Sequence, residues 1–317
     1  MNRHSQLVAA LGCVATLATV GCANNGAITP QNSISQQAPS NAFSGPGWIE
    51  KNGVLYHVPH YALPRRMAAQ RRFKPNTQLA YGNGPVLVAP KAYLILWGYQ
   101  TYGDPYKVGK LLQALFRNQG GSSHNNIYTQ YYMVAGSITT YITNPTNQYG
   151  GVWDDETNPV PYNATDAQVA AEALNGVAQF GYDPNGSYIV AMPYGHDPQG
   201  FGPFYCAYHG STVYNGQYVS YTNLPYMPDG GRNCGAYDIG RPSDERAIDE
   251  GVTILEGHEY GESITDPVPN TGWTDSNGDE IGDLCEWIDI ANDPFNAKSY
   301  TMQPMFSNAT STCVQSY

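Results

Sequence analysis

The sequence predicts an α/β (or α+β) fold, in which a mainly parallel, mixed sheet carries packed helices and is followed by an irregular, disulfide-pinned C-terminal part. Three observations carry this expectation. Between Ala92 and Met192, short apolar runs alternate with stretches of helical period. Residues 243–267, SDERAIDEGVTILEGHEYGESITDP, read as a core helix whose last turns are charged. Cys206, Cys234, Cys285 and Cys313 flank that stretch on either side.

At the N-terminus, Leu7 to Val20 is an apolar run of signal-peptide length, too short to span a bilayer. Thr19-Val20-Gly21-Cys22 resembles a bacterial lipobox, which makes Cys22 a lipidation site. Gly21-Cys22-Ala23 is alternatively a small-x-small cleavage site. Residues 1–22 are therefore expected to be a signal peptide, and the mature chain an exported protein. It would be either an outer-membrane lipoprotein or extracellular, with an N-terminal lipid as its sole membrane contact. Residues 23–83 read as a linker or propeptide-like segment. It is rich in Asn, Gln, Ser and Pro to about residue 45, with a strand at Val54–Val58 and two arginine pairs, Arg65-Arg66 and Arg71-Arg72. The arginines form a solvated patch or a propeptide cleavage site.

Residues 84–317 are expected to form a single globular domain. Val86 to Val88 and Ala92 to Trp97 read as buried strands. In Tyr106 to Asn118, the spacing of Val108, Leu111, Leu112, Leu115 and Phe116 predicts a helix. Tyr128 to Tyr141 reads as extended, and Gly150 to Pro161 as an acidic loop in which Asp154, Asp155 and Glu156 offer a minor calcium possibility. Thr165 N-caps a second helix that presents Val169, Ala170, Ala173, Leu174 and Val177, and Ser187 to Met192 is a further buried strand. The order strand, helix, strand, helix, strand argues for a parallel sheet. Residues 194–242 read as an irregular β-ribbon with short strands at Phe204–Tyr208 and Tyr218–Thr222.

Composition narrows the function classes. Hydrophobic content is 41% and charged content only 13%, with 26 Tyr, 34 Gly and 23 Pro, which suits a loop-rich extracellular protein. Loss of the leader takes one of the 15 basic residues, Arg3, and leaves 14 against 26 acidic ones. Such a chain has no electrostatic footprint for nucleic acid and suits a cation instead. Four cysteines in an exported protein imply two disulfides with three possible connectivities; Cys206–Cys234 with Cys285–Cys313 closes the shorter loops. No GxSxG is present, and the cysteines suit disulfides better than catalysis.

The chemistry concentrates in the stretch 243–267. Ser243 reads as its N-cap, with Asp244 and Glu245 in the first turn. Ile248, Val252 and Leu255 mark a buried stripe that His258, Glu259 and Glu262 continue, before Asp266-Pro267 ends the helix. His258 and Glu262 are spaced i, i+4 and share a face, as the two ligands of an HExxH zinc-peptidase helix do. On that reading they are metal ligands, Glu259 is a general base, and Asp266 is a weaker candidate ligand. The departure is Glu262 in place of a second histidine, which points to a weaker hydrolase or a harder metal. The competing reading is a buried, hydrogen-bonded His–Glu pair. Gly257 and Gly261 weaken the helix by roughly 1 kcal/mol each and leave room for a close neighbour.

A second cluster follows in Asp275 to Glu286, DSNGDEIGDLCE. As a calcium loop it places Asp275, Asn277, Asp279, Ile281, Asp283 and Glu286 at ligand positions, with Glu280 where the turn glycine belongs. As a completion of a zinc site it supplies Glu280 as third ligand and Asp283 behind it. An Asx-rich turn after Trp273 is the plain alternative.

The blocks YLILWGYQTYGDP, GGSSHNNIYTQYY, CAYHG, GHEYGESITDP, GWTDSNGDEIGDLC and MQPMFSNA resemble a group of secreted bacterial proteins. More distantly they resemble the plant exordium or phosphate-induced proteins, over roughly Pro85 to Val314. The resemblance implies a zincin-like active-site helix, the pairing of Cys206 with Cys234 and of Cys285 with Cys313, and His209 of CAYHG as a further ligand. The leading expectation is thus an exported, zinc-dependent hydrolase, foremost a metallopeptidase. It would act on an extracellular peptide or cell-wall substrate that adds to the ribbon strand Tyr218–Thr222. The alternative is a non-catalytic extracellular or cell-wall-associated protein of exordium-like type. It would have a structural zinc or calcium site and use aromatics such as Trp273 and Trp287 to stack on sugars.

Overall fold

The computed structural model describes residues 48–51, 54–57, 60–68, 77–296 and 298–317. The expected signal peptide with Cys22, the expected tether and the Arg71-Arg72 pair lie outside the described residues. The architecture is mixed α/β. Its centre is a six-stranded sheet of β1 (His60–Ala62), β2 (Lys91–Trp97), β3 (Tyr149–Asp155), β4 (Gly186–Ala191), β5 (Ala207–Tyr214) and β6 (Gln217–Leu224), in the order β1-β5-β6-β4-β2-β3. The pairs β6–β4, β4–β2 and β2–β3 are parallel, and β5 pairs antiparallel with both β6 and β1.

The parallel half follows from the pattern of its residues. Strand β4 is buried along its whole length and β2 nearly so, as strands covered on both faces must be. Helix α1 (Val108–Gln119) turns Leu111, Leu112, Leu115 and Phe116 inward, and Asp104 caps it by accepting from the amides of Val108 and Gly109 at 2.7 and 3.1 Å. Helix α2 (Asp166–Phe180) starts after Thr165 as its spacing predicts, with Gln168 Oε1 accepting from the Thr165 amide at 2.9 Å.

Several expectations are corrected. The segment Gly150–Pro161 is not simply an acidic loop, because Tyr149–Asp155 is the edge strand β3 and two of its acids have partners. Glu156 accepts from the amides of Gln100 and Thr101, and Asp155 from Thr157 and Asn158. Val86–Val88 forms no strand; the Leu87 amide instead donates to the Ile264 carbonyl at 2.9 Å, at the end of the long helix. The ribbon within residues 194–242 belongs to the central sheet as β5 and β6. Strand β6 pairs with β5 from Gln217 to Asn223 and with β4 from Ser220 to Leu224, so Ser220–Thr222 has no free edge for a substrate strand. Last, Ser243 caps no helix: Asp244 Oδ2 accepts from the Arg241 amide at 2.8 Å and makes a turn there, and helix α3 begins later, spanning Glu250–Thr265. Tyr128–Tyr141 is extended only in part, as a 3₁₀ turn (Asn125–Gln130) followed by a hairpin of Tyr132–Ala135 and Ile138–Tyr141.

Helix α3 is buried on every side from Gly251 to Thr265. It packs on β5 and β6 and beneath the strand Lys298–Met302. Gly257 permits this: a Cβ there would stand 2.3 Å from Met302 Cε. Two disulfides join Cys206 to Cys234 and Cys285 to Cys313. The first ties the start of β5 to the turn Gly231–Cys234, and the second ties the loop after α3 to the hairpin of Met305–Ser307 and Thr312–Val314. Among the described residues no helix is long and apolar enough to cross a membrane.

Candidate metal centre

Three elements converge on one buried cluster. Helix α3 brings His258, Glu259 and Glu262 on consecutive turns, β5 brings His209, and the loop Glu280–Asp283 closes the third side. His209, His258, Glu259, Glu262 and Glu280 are each 0% exposed and Asp283 is 3% exposed. Glu262 lies at the middle: its Oε1 is 3.0 Å from His258 Nε2 and its Oε2 is 3.3 Å from His209 Nδ1. Glu259 Oε2 is 3.4 Å from the same His209 nitrogen, and Glu280 Oε2 is 3.5 Å from His209 Nε2. Asp283 Oδ1 is 4.0 Å from His258 Nε2.

The surroundings orient these groups. His258 Nδ1 is 3.2 Å from Gln303 Oε1, and the same amide donates from Nε2 to the Gly282 carbonyl at 2.9 Å, which fixes which end faces the imidazole. His209 Nε2 is 3.2 Å from the Asp266 carbonyl. The Asp283 amide donates to Glu262 Oε1 at 3.2 Å, and Asp283 Oδ2 accepts from the Glu280 amide at 2.9 Å. Gly282 leaves the space: a Cβ there would come within 2.9 Å of both Glu262 Oε1 and His258 Cγ.

Electrostatics mark the centre as charge-dense. Burial acts to depress the His209 imidazole, but Glu259 and Glu262 outweigh it and push its pKa up to about 10. His258 goes the same way, well above its usual value, through Glu262, Glu259 and Asp283. Burial, then the charges of Asp266, Glu262, Asp283 and Glu259, drives the Glu280 carboxyl well above the usual range. Burial also raises Glu259, against the pull of His209.

Of the residues singled out in the sequence, His258, Glu259, Glu262, Glu280, Asp283 and His209 all meet here. Asp266 does not offer its side chain. Its carboxylate closes the next turn by accepting from the amides of Asn270, Thr271 and Gly272 at 2.6, 3.1 and 2.6 Å. The acids of the calcium-loop reading are divided among separate tasks. Asp275 Oδ1 accepts from the amides of Asn277 and Asp279 at 2.7 and 3.0 Å, Glu280 and Asp283 face the centre, and Glu286 accepts from the Leu63 amide. Gln303 went unnoticed in the sequence, since an amide behind a ligand has no spacing signature. Trp273 is buried and donates to the Tyr132 carbonyl at 2.8 Å, which removes it as an open stacking platform.

The donor set fits a divalent cation. Within two groups, His209–Glu262–Glu280 and His258–Glu259–Glu262, one ligand atom per residue lies within 4.8 Å of the others. A tetrahedral ion with bonds of about 2.0–2.1 Å sets its ligand atoms roughly 3.3–3.4 Å apart, and the distances around Glu262 and His209 match that spacing. Each imidazole also has an acceptor at its other nitrogen, the arrangement that orients ligating histidines. A cleft of about 1040 Å³ opens at the start of α3, lined by residues including Lys107, Arg246, Glu250, Thr253 and Tyr300, and the residues of the centre do not line it. Comparison of the chain with protein-family models, with curated proteins and with solved structures gave no match.

Proposed function

We propose that the chain is an exported, metal-dependent hydrolase of zincin-like chemistry, acting on an extracellular peptide or cell-wall substrate. The observation that carries this reading is the convergence of the α3 motif with His209 and Glu280. His209, Glu262 and Glu280 would hold a divalent cation, zinc foremost, with His258 on the other oxygen of Glu262. Such an ion supplies Lewis acidity toward a substrate carbonyl and acidifies water at neutral pH. Glu259, beside His209 and free of backbone hydrogen bonds, is suited to take up and return the proton of the attacking water. Asp283 and Gln303 keep Glu262 and His258 in register. An extended substrate would take the place of β1, the strand that now covers the β5 edge beside His209.

The test is the purified mature chain, analysed for bound metal and assayed against peptide and cell-wall substrates beside Glu259→Gln. The expected result is at least one equivalent of metal in both proteins and a loss of hydrolysis of a hundredfold or more in the variant. Metal-free protein, or unchanged hydrolysis in Glu259→Gln, overturns the reading.

One observation favours a second reading. Catalytic ions keep a position open to substrate, whereas every candidate ligand here is buried. A structural ion in a non-catalytic extracellular protein accounts for that burial. On this reading chelation lowers the melting temperature while the substrate panel stays silent.

A further inference from the structure

We propose that the centre takes two divalent ions bridged by Glu262, an inference that rests on the metal reading above and deepens it. The ligand atoms do not gather around one point. They form two groups, His209–Glu262–Glu280 and His258–Glu259–Glu262, and Glu262 is their common member. Its two oxygens diverge, Oε1 lying 3.0 Å from the imidazole of one group and Oε2 3.3 Å from that of the other. A carboxylate disposed in this way bridges two ions, and such pairs stand roughly 3.5–4 Å apart in hydrolytic two-metal sites.

An independent observation concerns the imidazoles. Each has its own outer acceptor on a different ring nitrogen, Gln303 Oε1 at His258 Nδ1 and the Asp266 carbonyl at His209 Nε2. Each therefore directs its remaining nitrogen at a different oxygen of Glu262. The two imidazoles are thus oriented separately, one toward each oxygen of Glu262. A third observation is Glu259. It is fully buried, and neither of its oxygens has a hydrogen-bond partner among the described residues. A carboxylate so placed costs several kcal/mol unless a cation meets it. In the two-ion centre Glu259 would serve as a ligand of the His258 ion in place of the base role, and it stays 3.4 Å from His209. The charge also matches. Glu259, Glu262, Glu280 and Asp283 together carry four negative charges when ionised; two divalent ions offset them, and one leaves half.

The ions this donor set takes are first-row divalent cations that accept mixed imidazole and carboxylate ligation, Zn²⁺ or Mn²⁺. The test strips the purified chain with a chelator and titrates it with Zn²⁺ and, separately, with Mn²⁺. Two equivalents of Zn²⁺ per chain are expected. His209→Asn and His258→Asn should each retain one, and Glu262→Gln should lose at least tenfold in affinity for both. Mn²⁺-loaded protein should give the spin-coupled spectrum of a Mn²⁺ pair, reverting to that of an isolated ion in either histidine variant. One equivalent of Zn²⁺ in the parent chain, with an isolated-ion Mn²⁺ spectrum, overturns the two-ion centre and leaves the metal reading standing. No stoichiometric uptake of either ion overturns both. The parent spectrum decides the matter even where a variant fails to fold.

Discussion

Two groups of buried acids in this molecule meet the cost of burial in different ways. Asp155 and Glu172 sit between β3 and α2, both essentially inaccessible. Burial acts to raise Asp155, but Thr157, Asn158 and Glu172 donate to it and hold it below the usual carboxylate range. Burial raises Glu172 to about 9, so at neutral pH it is a protonated donor to its neighbour. Two acids share one charge, and neutral donors complete the set. Around Glu262 the chemistry is different. Four carboxylates and two imidazoles crowd together, and the spacings of 3.3 to 3.5 Å around His209 exceed ordinary hydrogen bonds. A buried acid pair is complete as protein; the centre has the composition of a site completed from outside.

The largest effects should come from breaking the centre. Replacing His209 or His258 by Ala leaves carboxylates buried without a counter-charge, a loss of about 3–5 kcal/mol and a fall in melting temperature on the order of 10 °C. Thermal denaturation with and without saturating Zn²⁺ separates the regions. The parent chain should gain stability from the ion and the histidine variants should gain less. An equal gain in all three would place the ion elsewhere.

The disulfides sharpen the contrast next. Both close loops with a sequence separation of 28, worth about 3–4 kcal/mol each by loop entropy. Replacing either pair by Ser should therefore cost similar stability. Metal affinity should respond unequally. Strand β5, which holds His209, is hydrogen-bonded on both sides, whereas the Glu280–Asp283 loop is held by a 3₁₀ turn, by Cys285 and by single bonds from the Phe306 amide to the Ile281 carbonyl and from Gln303 to the Gly282 carbonyl. Loss of Cys285–Cys313 should weaken Zn²⁺ binding at least tenfold more than loss of Cys206–Cys234, as read by competition with a zinc indicator.

A smaller change probes shape alone. The backbone of Gly282 is at φ −79°, which alanine accepts, yet its Cβ would press on Glu262 and His258. Gly282→Ala should fold with a cost of about 1–3 kcal/mol and bind metal more weakly. Unaltered binding would mean that the loop gives way without disturbing the ligands.

The same contrast explains what could be read from the sequence. Regular periodicity was visible: the inner faces of α1 and α2 and the buried runs of β2 and β4 each repeat on their own period. Strand β3 was hidden because Asp154, Asp155 and Glu156 mimic a loop, although their partners Thr157, Asn158, Gln100 and Thr101 neutralise that signal in the fold. Strands β5 and β6 were obscured by their Tyr, Ser, Thr and Asn content. Within the centre, the i, i+4 spacing exposed His258 and Glu262, and the acid-rich run from Asp275 to Glu286 exposed Glu280 and Asp283. His209 had no local spacing, since strand pairing brings it to α3, and only the family resemblance pointed to it. The start of α3 was misplaced because Ser243-Asp244 is as good a turn as it is a cap.

The smallest effect on metal binding should be that of Glu172→Gln, and its pH dependence makes it informative. Glu172 has a folded pKa of about 9, above the ordinary 4.5. Between those values the folded chain binds a proton that the unfolded chain has lost. Stability from this group is therefore complete below pH 4.5 and declines as pH rises, by up to roughly 1.4 kcal/mol per unit, until the folded group ionises near 9. Glutamine keeps the shape and a donor without a titrating proton. Near pH 4 the variant should lie within about 1 kcal/mol of the parent, near pH 7 it should be the more stable by up to roughly 3 kcal/mol, and between pH 7 and 9 its stability should fall less steeply, as urea midpoints across that range would record. Its Zn²⁺ response should match the parent's, because the pair on β3 and α2 needs no ion. A variant that lost both its alkaline slope and its metal response would join the two acid groups into one coupled system and remove the distinction drawn between them.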